Sequence, residues 1–396
     1  MKTNIEKIDN FGRGITFIDN KITFVPKTLP GDVVDIELTN EKSKYNEASV
    51  NKIIAKSPNR IDSKCPFFDR CGGCTFLNTS YENSISIKRN KITDLLKRNK
   101  IETNDYSFIE NKDSIGYRNK ISLQVIDGKI GYFEEKTHKI TKIDKCLLAK
   151  KPINDFIDKI HLFGIKNGKI TIRCNYKEEL LISIETDETI KNLGNDIIVS
   201  NNIVGIVLNG KCIYGKNSFI EKINELYFEI SYDSFFQINT YITQKLFEIV
   251  SNNVKGNVLD LYCGVGTLSL ACSKNANKVV GAEVVENAVN NAKRNAKLNN
   301  ITNTEFVLQD LNKGINISEK FDTFILDPPR SGISHKIMQL LLKELPNTIV
   351  YVSCDPQTFV RDLNELKDKY IIKKIYSLDM FSYTYHCESI TVLERR

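Results

Sequence analysis

The fold is decided by the stretch Val258-Leu259-Asp260-Leu261-Tyr262-Cys263-Gly264-Val265-Gly266-Thr267. Its apolar beginning is typical of a buried strand. The two glycines permit a tight turn into a helix and a close approach of the backbone to a ligand. The third glycine of a dinucleotide-binding fingerprint is missing, which disfavours a pyrophosphate site. The stretch therefore predicts a strand–turn–helix unit within an open α/β sheet.

The last part of the chain repeats this alternation of strand and helix. Apolar runs predict strands over residues 278–283, 304–308, 323–326, 348–352 and 390–393, and helical patterns cover residues 285–298 and 337–345. Such an alternation is typical of a doubly wound parallel sheet. We therefore predict an α/β domain over residues 229–396.

Acidic side chains follow three of these strands. Glu283 comes 19 residues after Gly264, where a carboxylate can accept both ribose hydroxyl groups. Asp310 follows the next strand and can reach an adenine amino group, and Asp327-Pro328-Pro329-Arg330 follows the strand after that. Ligands of open α/β sheets bind beyond the carboxyl ends of the strands. The pattern favours a nucleoside-containing cofactor over a helix-packing turn with incidental acids.

A cysteine and a carboxylate are predicted at the same edge. Ser353-Cys354-Asp355-Pro356 follows the strand over residues 348–352, and His386-Cys387-Glu388 precedes the last strand. An isolated cysteine is more often a small buried apolar residue, but a strand tip beside a cofactor crevice favours a nucleophile. A thiolate that adds to C6 of uracil gives C5 carbanion character, so that C5 can attack the methyl group of a sulfonium. A base must then remove the C5 proton.

The first half of the chain has a different pattern. Short alternating strands predict an OB-like β-barrel over residues 1–57, and Lys42, Lys44 and Tyr45 near a loop favour nucleic-acid binding over a purely structural cap. Residues 58–228 predict a central α+β domain with a mostly antiparallel sheet. Its basic helix over residues 84–99 is either an RNA contact or a solvated face.

Cysteines are clustered near the start of this central domain. Cys65-Pro66-Phe67-Phe68-Asp69-Arg70-Cys71-Gly72-Gly73-Cys74 holds three of them, and Cys146 is a distant fourth candidate. Paired Cys-x-x-Cys units are typical of zinc sites, whereas three close thiolates and one remote thiolate suit an iron–sulfur cluster. On spacing alone, an iron–sulfur cluster, zinc and the absence of metal all remain open.

Composition limits the class of protein. The 396 residues are 41% hydrophobic and 27% charged, which excludes a disordered, collagen-like or disulfide-dense chain. No uncharged apolar run is long enough for a membrane span, and residues 1–10 lack the pattern of a signal peptide. We expect a soluble, cytoplasmic monomer without a membrane partner. The net charge of +7 permits an RNA partner without requiring one.

Five motifs in order resemble the RNA uracil-C5 methyltransferase family. They are Phe235-Phe236-Gln237-Ile238-Asn239, Asp260-Leu261-Tyr262-Cys263-Gly264-Val265-Gly266-Thr267, Asp327-Pro328-Pro329-Arg330, Ser353-Cys354-Asp355-Pro356 and His386-Cys387-Glu388. The resemblance implies a class I methyltransferase domain that uses S-adenosylmethionine to form 5-methyluridine in RNA. It is closest to the branch that acts on 23S ribosomal RNA.

The resemblance also implies roles for individual residues. Cys354 is the nucleophile and Glu388 the base, with His386 as the alternative base. Cofactor contacts are implied for Gln237, Tyr262, Thr267, Glu283, Asp310 and Asp327, and the family also has the first and last of these near the target base. Two residues depart from the family's pattern, because Asp355 stands where Asn is usual and Cys387 where Val is common. The charge of Asp355 would disfavour the thiolate of Cys354 unless its side chain points away.

Further implications concern the first half of the chain. The ribosomal branch carries a [4Fe-4S] cluster on a Cys-x5-Cys-x2-Cys segment and a distant cysteine, which implies Cys65, Cys71, Cys74 and Cys146 as ligands of a structural cluster. The barrel resembles the RNA-binding TRAM domain at Gly31-Asp32-Val33-Val34, and Tyr117-Arg118-Asn119-Lys120 resembles a basic motif of the family's central domain.

Three rival functions remain. An adenine amino-group methyltransferase would share the Asp-Pro-Pro motif but would need no thiol. A non-catalytic iron–sulfur protein could bind RNA or sense redox state. A transfer-RNA uracil-C5 methyltransferase would use the same chemistry, and is disfavoured because that branch typically lacks the barrel and the four cysteines.

Overall fold

The computed structural model describes residues 1–103, 105–135, 137–315 and 319–396. Within these ranges the strands form sheets of six, seven, two and eight strands. No helix in the described part of the chain is long and apolar enough to cross a membrane.

Residues 1–57 form the N-terminal β-domain, whose sheet has the order β1-β5-β6-β4-β3-β2. Its strands are β1 (Lys2–Asn4), β2 (Lys7–Ile8), β3 (Gly14–Ile18), β4 (Lys21–Val25), β5 (Val33–Glu41) and β6 (Asn46–Ala55). Successive side chains of a strand point to opposite faces, so the alternating pattern directs one apolar set inward. That core consists of Ile5, Val25, Val34, Ile36 and Ala48.

The Gly31-Asp32 motif joins this domain to the next segment. Asp32 is fully buried, and its carboxylate accepts hydrogen bonds from the backbone N–H groups of Leu29 and Ser57 at 2.7 and 2.9 Å. Arg60 donates to both carboxylate oxygens, at 2.8 and 2.6 Å. The motif is therefore explained by a buried, fully paired carboxylate where the β-domain ends.

Helix α1 (Tyr81–Arg98) and strand β7 (Tyr106–Ile109) follow residues 65–76, which we call the cysteine segment. The strand belongs to the C-terminal sheet, and the helix packs on that sheet. Ser80 caps the helix, because its Oγ accepts a hydrogen bond from the Asn83 N–H at 3.2 Å. The apolar face of α1 lies in the core on one side of that sheet. The helix predicted over residues 84–99 is thus present and packs on the C-terminal domain.

The central sheet has the order β10-β9-β8-β11-β12-β13-β14. Its elements are β8 (Lys120–Ile126), β9 (Lys129–Phe133), β10 (Ile140–Lys142), α2 (Lys151–Ile157), β11 (Gly168–Cys174), β12 (Leu180–Glu185), α3 (Asn195–Ser200), β13 (Ile203–Leu208) and β14 (Lys211–Gly215). Neighbouring strands are antiparallel except β12 and β13, which are parallel. Ile153 and Phe156 of α2 pack on this sheet. The mostly antiparallel α+β arrangement is as predicted.

A hairpin and a helix precede the C-terminal sheet. The hairpin consists of β15 (Ser218–Ile223) and β16 (Leu226–Ser231), and helix α4 (Thr240–Asn252) follows it. Asn239 caps this helix by accepting a hydrogen bond from the Ile242 N–H at 3.2 Å. Hairpin and helix share an apolar core with the C-terminal sheet.

The C-terminal sheet has the order β19-β18-β17-β20-β21-β23-β22-β7. Its remaining elements are β17 (Asn257–Leu261), α5 (Thr267–Cys272), β18 (Lys278–Glu283), α6 (Glu286–Leu298), β19 (Thr304–Leu308), β20 (Thr323–Leu326), α7 (His335–Glu344), β21 (Thr348–Ser353), α8 (Pro356–Leu366), β22 (Tyr370–Leu378) and β23 (Glu388–Arg395). One apolar core holds side chains of α4, α5 and α6, and the other holds side chains of α1, α7 and α8. The predicted doubly wound α/β sheet is confirmed.

Candidate active site

The turn after β17 leaves space beside its backbone. Gly264 and Gly266 have φ angles of 55° and 82°, in the left-handed region that favours glycine. A Cβ at Gly264 would meet nothing within 4 Å, whereas one at Gly266 would lie 2.9 Å from Phe306 Cζ. Gly264 therefore borders a space that a ligand can enter, and Gly266 lets the turn pack closely on the sheet.

Glu283 closes this turn from the end of β18. Its Oε2 accepts a hydrogen bond from the Gly264 N–H at 3.1 Å. Its Oε1 accepts from the N–H groups of Val284 and Val285 at 2.8 and 2.9 Å. The carboxylate is thereby held beside the open side of the turn, where a ribose contact was predicted.

Asp260 is a further candidate, which the sequence analysis contained only as a motif letter. It is fully buried, and its Oδ2 accepts a hydrogen bond from the Ser269 hydroxyl at 2.5 Å. Its Oδ1 has no hydrogen-bond partner among the described residues. Burial raises the pKa of Asp260 to about 7. An acid inside an otherwise apolar strand was the signal that could have identified it.

Four of the other predicted cofactor residues lie at or just beyond strand ends at the same sheet edge, and Gln237 belongs to a separate segment. Tyr262 and Thr267 belong to the turn after β17, and Asp327 directly follows β20. Asp310 lies two residues beyond β19, where its Oδ1 accepts from the Asn312 N–H at 3.1 Å. Gln237 lies before α4, and its carbonyl accepts from Asn119 Nδ2 at 3.1 Å.

Cys354 and Glu388 face each other because β23 is antiparallel to β21. The last paired residues of the two strands are Ser353 and Ser389. Cys354 is the next residue beyond β21, and Glu388 is the residue that starts β23. The thiol and the carboxyl group are therefore register neighbours at the edge where the turn after β17 also lies.

The charges around Cys354 disfavour its thiolate. Burial, followed by the carboxylates of Glu388 and Asp327, raises the pKa of Cys354 to about 12, while Arg330 opposes this rise. Burial also raises the pKa of Asp327 to about 7 and that of Glu388 well above its usual range, the latter with a further contribution from Asp327. These shifts favour the protonated forms of Cys354 and Glu388 at neutral pH.

Arg330 is the cation of this pocket, and the sequence analysis assigned it no role. It lowers the pKa of both Cys354 and Glu388 and thus favours their charged forms. Its place at the end of the Asp-Pro-Pro-Arg motif was the available signal.

His386 is a weak base in this environment. Burial, followed by the nearby cations Arg330 and Lys91, lowers the pKa of its imidazole to about 4. A neutral ring that resists protonation is a poor proton acceptor near pH 7.

The two departures from the family's motifs have local explanations. The Oδ1 of Asp355 accepts hydrogen bonds from the N–H groups of Gln357 and Thr358, both at 3.0 Å, and so caps helix α8. The residues that act most strongly on the Cys354 thiol are instead Glu388, Asp327 and Arg330. Cys387 is 1% exposed and packs in an apolar core.

The segment over residues 379–386, called the base segment because it precedes the predicted base Glu388, is held by helix α1. Asp379 is fully buried and forms an ion pair with the buried Lys88 at 2.5 Å. Lys88 also donates to the carbonyl of Phe381 at 2.9 Å, and Lys91 donates to that of Tyr385 at 3.1 Å. Helix α1 therefore positions the segment that leads to Glu388.

The four predicted cluster cysteines lie near one another. Burial raises the pKa of Cys65, Cys71 and Cys74, and the nearby Cys146 contributes to each rise. The pKa of Cys74 is thereby raised to about 12. Among the described residues, however, no group of three or more His, Cys, Asp or Glu side chains is arranged to hold a metal ion. The donor set is that of an iron–sulfur cluster, but its side-chain positions do not support the predicted metal site.

The cysteine segment connects the N-terminal β-domain to the base segment. Lys27 of the β-domain donates hydrogen bonds to the carbonyls of Phe68 and Cys71, the second at 2.9 Å. The N–H groups of Thr75 and Phe76 both donate to the carbonyl of Tyr383, at 2.9 and 3.0 Å. The segment therefore spans the gap between the two.

Comparisons with known proteins agree with this geometry. The family model of tRNA (Uracil-5-)-methyltransferase matches residues 80–396, and the model of the TRAM domain of tRNA (uracil(54)-C(5))-methyltransferase matches residues 1–59. An uncharacterized RNA methyltransferase of Caldanaerobacter subterraneus subsp. tengcongensis is 31% identical over 99% of this chain and 98% of its own. Another from Clostridium acetobutylicum is 32% identical over 99% of this chain and 96% of its own.

A solved structure is similar over the whole chain. The crystal structure of Pyrococcus abyssi tRNA (uracil-54, C5)-methyltransferase in complex with S-adenosyl-L-homocysteine is 28% identical with a TM-score of 0.82. The similarity covers 99% of this chain and 100% of that one.

The doubly wound sheet and the turn after β17 define a class I methyltransferase. The chain belongs to the tRNA (uracil-5-)-methyltransferase family and carries an N-terminal TRAM domain. It is an RNA uracil-C5 methyltransferase that uses S-adenosylmethionine. These findings confirm the predicted family, S-adenosylmethionine as a cofactor and an RNA partner.

The prediction that the N-terminal barrel disfavours a transfer-RNA substrate is wrong. The TRAM model that matches the barrel is itself that of a transfer-RNA enzyme. An N-terminal TRAM domain therefore does not distinguish ribosomal from transfer RNA as the substrate.

Proposed function

We propose that the protein methylates C5 of a uridine in RNA with Cys354 as nucleophile and Glu388 as base. The observation that carries this proposal is the antiparallel pairing of β21 with β23, which makes a thiol and a carboxyl group register neighbours at one sheet edge. An amino-group methyltransferase would have no use for that pair, and a non-catalytic RNA-binding protein would need neither group.

The steps follow from the chemistry of these two groups. The Cys354 thiolate adds to C6 of the uracil ring, and the electron pair displaced from the C5–C6 double bond makes C5 nucleophilic. When bound, S-adenosylmethionine would supply an electrophilic methyl group on a cationic sulfur. C5 takes up that methyl group as the bond between the methyl carbon and the sulfur breaks, and the sulfur leaves as the neutral thioether of S-adenosylhomocysteine. Glu388 then removes the C5 proton, the C5–C6 double bond re-forms, and the Cys354 sulfur leaves as thiolate.

Electrostatics support this assignment of the base. A proton acceptor must be able to hold the proton that it removes, and the raised pKa of Glu388 gives its carboxylate that capacity. The lowered pKa of His386, about 4, makes its imidazole the weaker acceptor. Arg330 and the cationic sulfur of the cofactor favour the ionised carboxylate before the transfer.

Trapping the covalent intermediate tests the mechanism. Glu388→Gln is expected to form the adduct and to stall with RNA bound to Cys354, because elimination requires removal of the C5 proton. Cys354→Ala is expected to form neither adduct nor product. Denaturing electrophoresis after incubation with RNA and S-adenosylmethionine detects the adduct as a slow band.

His386→Ala is the matched control for the base. It should turn over without a stalled band. A stalled band for His386→Ala together with normal turnover of Glu388→Gln would assign the base to the histidine instead. Methylation by Cys354→Ala would contradict the nucleophile.

We further propose 23S ribosomal RNA as the substrate, because the four-cysteine pattern resembles the ribosomal branch of the family. Transfer RNA is the second candidate, favoured by the similarity to the Pyrococcus abyssi enzyme, whose substrate is named as tRNA uracil-54. Separate incubation of unmodified ribosomal and transfer RNA with the enzyme, followed by mass-spectrometric mapping of 5-methyluridine, decides between them. Methylation of transfer RNA alone would overturn the ribosomal proposal.

We also propose that Cys65, Cys71, Cys74 and Cys146 hold a [4Fe-4S] cluster. Their mutual influence on thiol pKa values supports it, since the four sulfurs must be near one another. The ligands of a cubane cluster lie farther apart than the ligands of one zinc ion, because they surround four irons. Such a cluster would have a structural role here, in the segment between the β-domain and the base segment.

A further inference from the structure

Aromatic rings form a continuous run from the N-terminal β-domain to the catalytic base. This aromatic run consists of Tyr45, Phe24, Arg13, Phe11, Tyr385, His386 and Phe381. Ring centroids lie 5.6 Å apart for Tyr45 and Phe24, 5.7 Å for Phe11 and Tyr385, 4.0 Å for Tyr385 and His386, and 5.7 Å for His386 and Phe381. The Arg13 guanidinium carbon links the two groups, at 4.1 Å from the Phe24 centroid and 5.4 Å from the Phe11 centroid. Tyr385 and His386 lie just before Glu388 in sequence.

The middle of the run is open to solvent and held in place. Phe11 is 56% exposed, so its ring is accessible to a ligand. It lies in a turn that Asp9 fixes, because one carboxylate oxygen accepts from the N–H groups of Phe11 and Arg13 at 2.9 and 2.7 Å. The other oxygen accepts from Arg13 Nε at 2.8 Å. The ring is therefore presented by a rigid turn.

Cations line the run on the catalytic side. Lys91 lies 5.5 Å from the centroid of the Tyr385 ring. Arg330 is near enough to His386 to lower the pKa of its imidazole, after the larger effect of burial. The surface thus combines ring faces with positive charge.

We propose that the aromatic run binds the unpaired nucleotides that flank the target uridine, with bases stacked on Phe11 and Tyr385 and a phosphate near Lys91; the Arg13 guanidinium is ion-paired with Asp9 and Glu47 and serves to hold the Phe24 and Phe11 rings. This inference rests on the proposed function, because it assigns the run to the same RNA substrate. Rings with alternating cations are the surface that binds single-stranded nucleic acid, since every base has a face that can stack. A paired helix does not expose base faces, so the proposal names an unpaired loop or an unfolded stem.

A single-stranded RNA is favoured over a protein partner by continuity with the reaction site. The run includes His386, two residues before Glu388, where the target uridine must lie for proton removal. A nucleotide chain that enters this pocket must leave it along a neighbouring surface, and the run is such a surface with complementary charge.

The test uses the full chain and a fluorescein-labelled single-stranded oligouridine of twelve nucleotides, without S-adenosylmethionine. Phe11→Ala is expected to weaken binding in fluorescence anisotropy by about 5- to 150-fold, the range for the loss of one stacked base. Tyr385→Ala is expected to weaken it within the same range. Phe11→Tyr keeps a ring and should bind like the unmodified protein.

Phe17→Ala is the matched control. Phe17 is 49% exposed in the same β-domain and belongs to strand β3 rather than to the run. Its replacement should leave RNA affinity unchanged. Equal affinity of Phe11→Ala and the unmodified protein, or equal weakening by Phe11→Ala and Phe17→Ala, would overturn the proposal. The first of these results would leave the run to a protein partner.

Failure of this inference can be told from failure of the proposed function. Normal formation of 5-methyluridine with an unaffected Phe11→Ala would reject the aromatic run as an RNA surface and leave the proposed chemistry in place. Selective loss of binding in Phe11→Ala, with no 5-methyluridine formed by the unmodified protein on any RNA, would do the reverse. A thermal midpoint of Phe11→Ala equal to that of the unmodified protein verifies that the variant is folded.

Discussion

At the scale of single residues, the reactivity of Cys354 is controlled by its neighbours. Glu388 and Asp327 disfavour its thiolate and Arg330 favours it, with the first influence larger. A thiol with a pKa of about 12 is almost entirely protonated at pH 7. Burial, which is the largest influence, and these two carboxylates therefore disfavour the Cys354 thiolate at pH 7.

This has a measurable consequence for pH dependence. Only the thiolate is alkylated, and its fraction rises tenfold per pH unit below the pKa. Alkylation of Cys354 by iodoacetamide is therefore expected to rise about tenfold per unit from pH 7 to pH 9 without a plateau. Mass spectrometry of the peptide that contains Cys354 gives the rate at each pH.

Cys212 provides the internal reference, because it is an exposed free cysteine of the same chain. It should be alkylated well before Cys354 at pH 7. A Cys354 rate that equals the Cys212 rate at pH 7, or a plateau below pH 9, would show that the thiolate is not suppressed.

At the scale of elements, helix α1 holds the base segment through one buried ion pair. Lys88 is 1% exposed and Asp379 is fully buried. The other oxygen of Asp379 accepts from the hydroxyl groups of Tyr81 and Ser382 at 2.8 and 2.6 Å. The carboxylate is fully paired, so its burial depends on all three donors.

Removal of the lysine should therefore be costly. Lys88→Met leaves the Asp379 carboxylate buried without its cation, and we expect a loss of about 3–5 kcal/mol in the free energy of unfolding. Arg89→Met on the same helix is the control, because the Arg89–Glu110 pair is about half exposed on both sides. It should cost less than about 1 kcal/mol.

Urea unfolding followed by circular dichroism compares the two variants. Equal midpoints for Lys88→Met and Arg89→Met would contradict the role of the buried pair. Lys88→Met with Asp379→Leu removes both charges and should recover part of the loss, since no unpaired charge remains.

At the scale of the whole molecule, the cysteine segment connects regions that are distant in sequence. It accepts hydrogen bonds from Lys27 of the β-domain and donates to Tyr383 of the base segment. A cluster held by Cys65, Cys71, Cys74 and Cys146 would brace this connection. It would thereby fix the position of the RNA-binding β-domain relative to the active site.

Metal analysis tests whether the four cysteines hold an iron–sulfur cluster. Anaerobically purified protein is expected to be brown and to contain about four irons per chain, and Cys65→Ser is expected to lose most of the iron. Cys212→Ser, which changes a cysteine outside the set, should keep its iron. Stoichiometric zinc, or a colourless protein without iron after anaerobic purification, would overturn the proposed cluster.

Strands, turns and acidic residues of the C-terminal domain could be predicted from the sequence. An apolar run followed by two glycines, and acids at strand ends, are patterns of neighbouring residues. For that reason β17, the turn after it and Glu283 were predictable. Strand β22 (Tyr370–Leu378) was missed, because Lys373 and Lys374 interrupt its apolar pattern at a bulge in its pairing with β23.

The contacts between residues that are distant in sequence could not be predicted and were found in the folded structure. Lys88 and Asp379 are 291 residues apart in sequence, and Phe11 meets Tyr385 across an even longer separation. Periodicity reports whether a residue is buried, but not which distant residue it meets, because that depends on how separate elements pack. The motifs of this enzyme were therefore legible in its sequence, whereas the ion pair that holds the base segment and the aromatic run that leads to it arise from the packing of the complete chain.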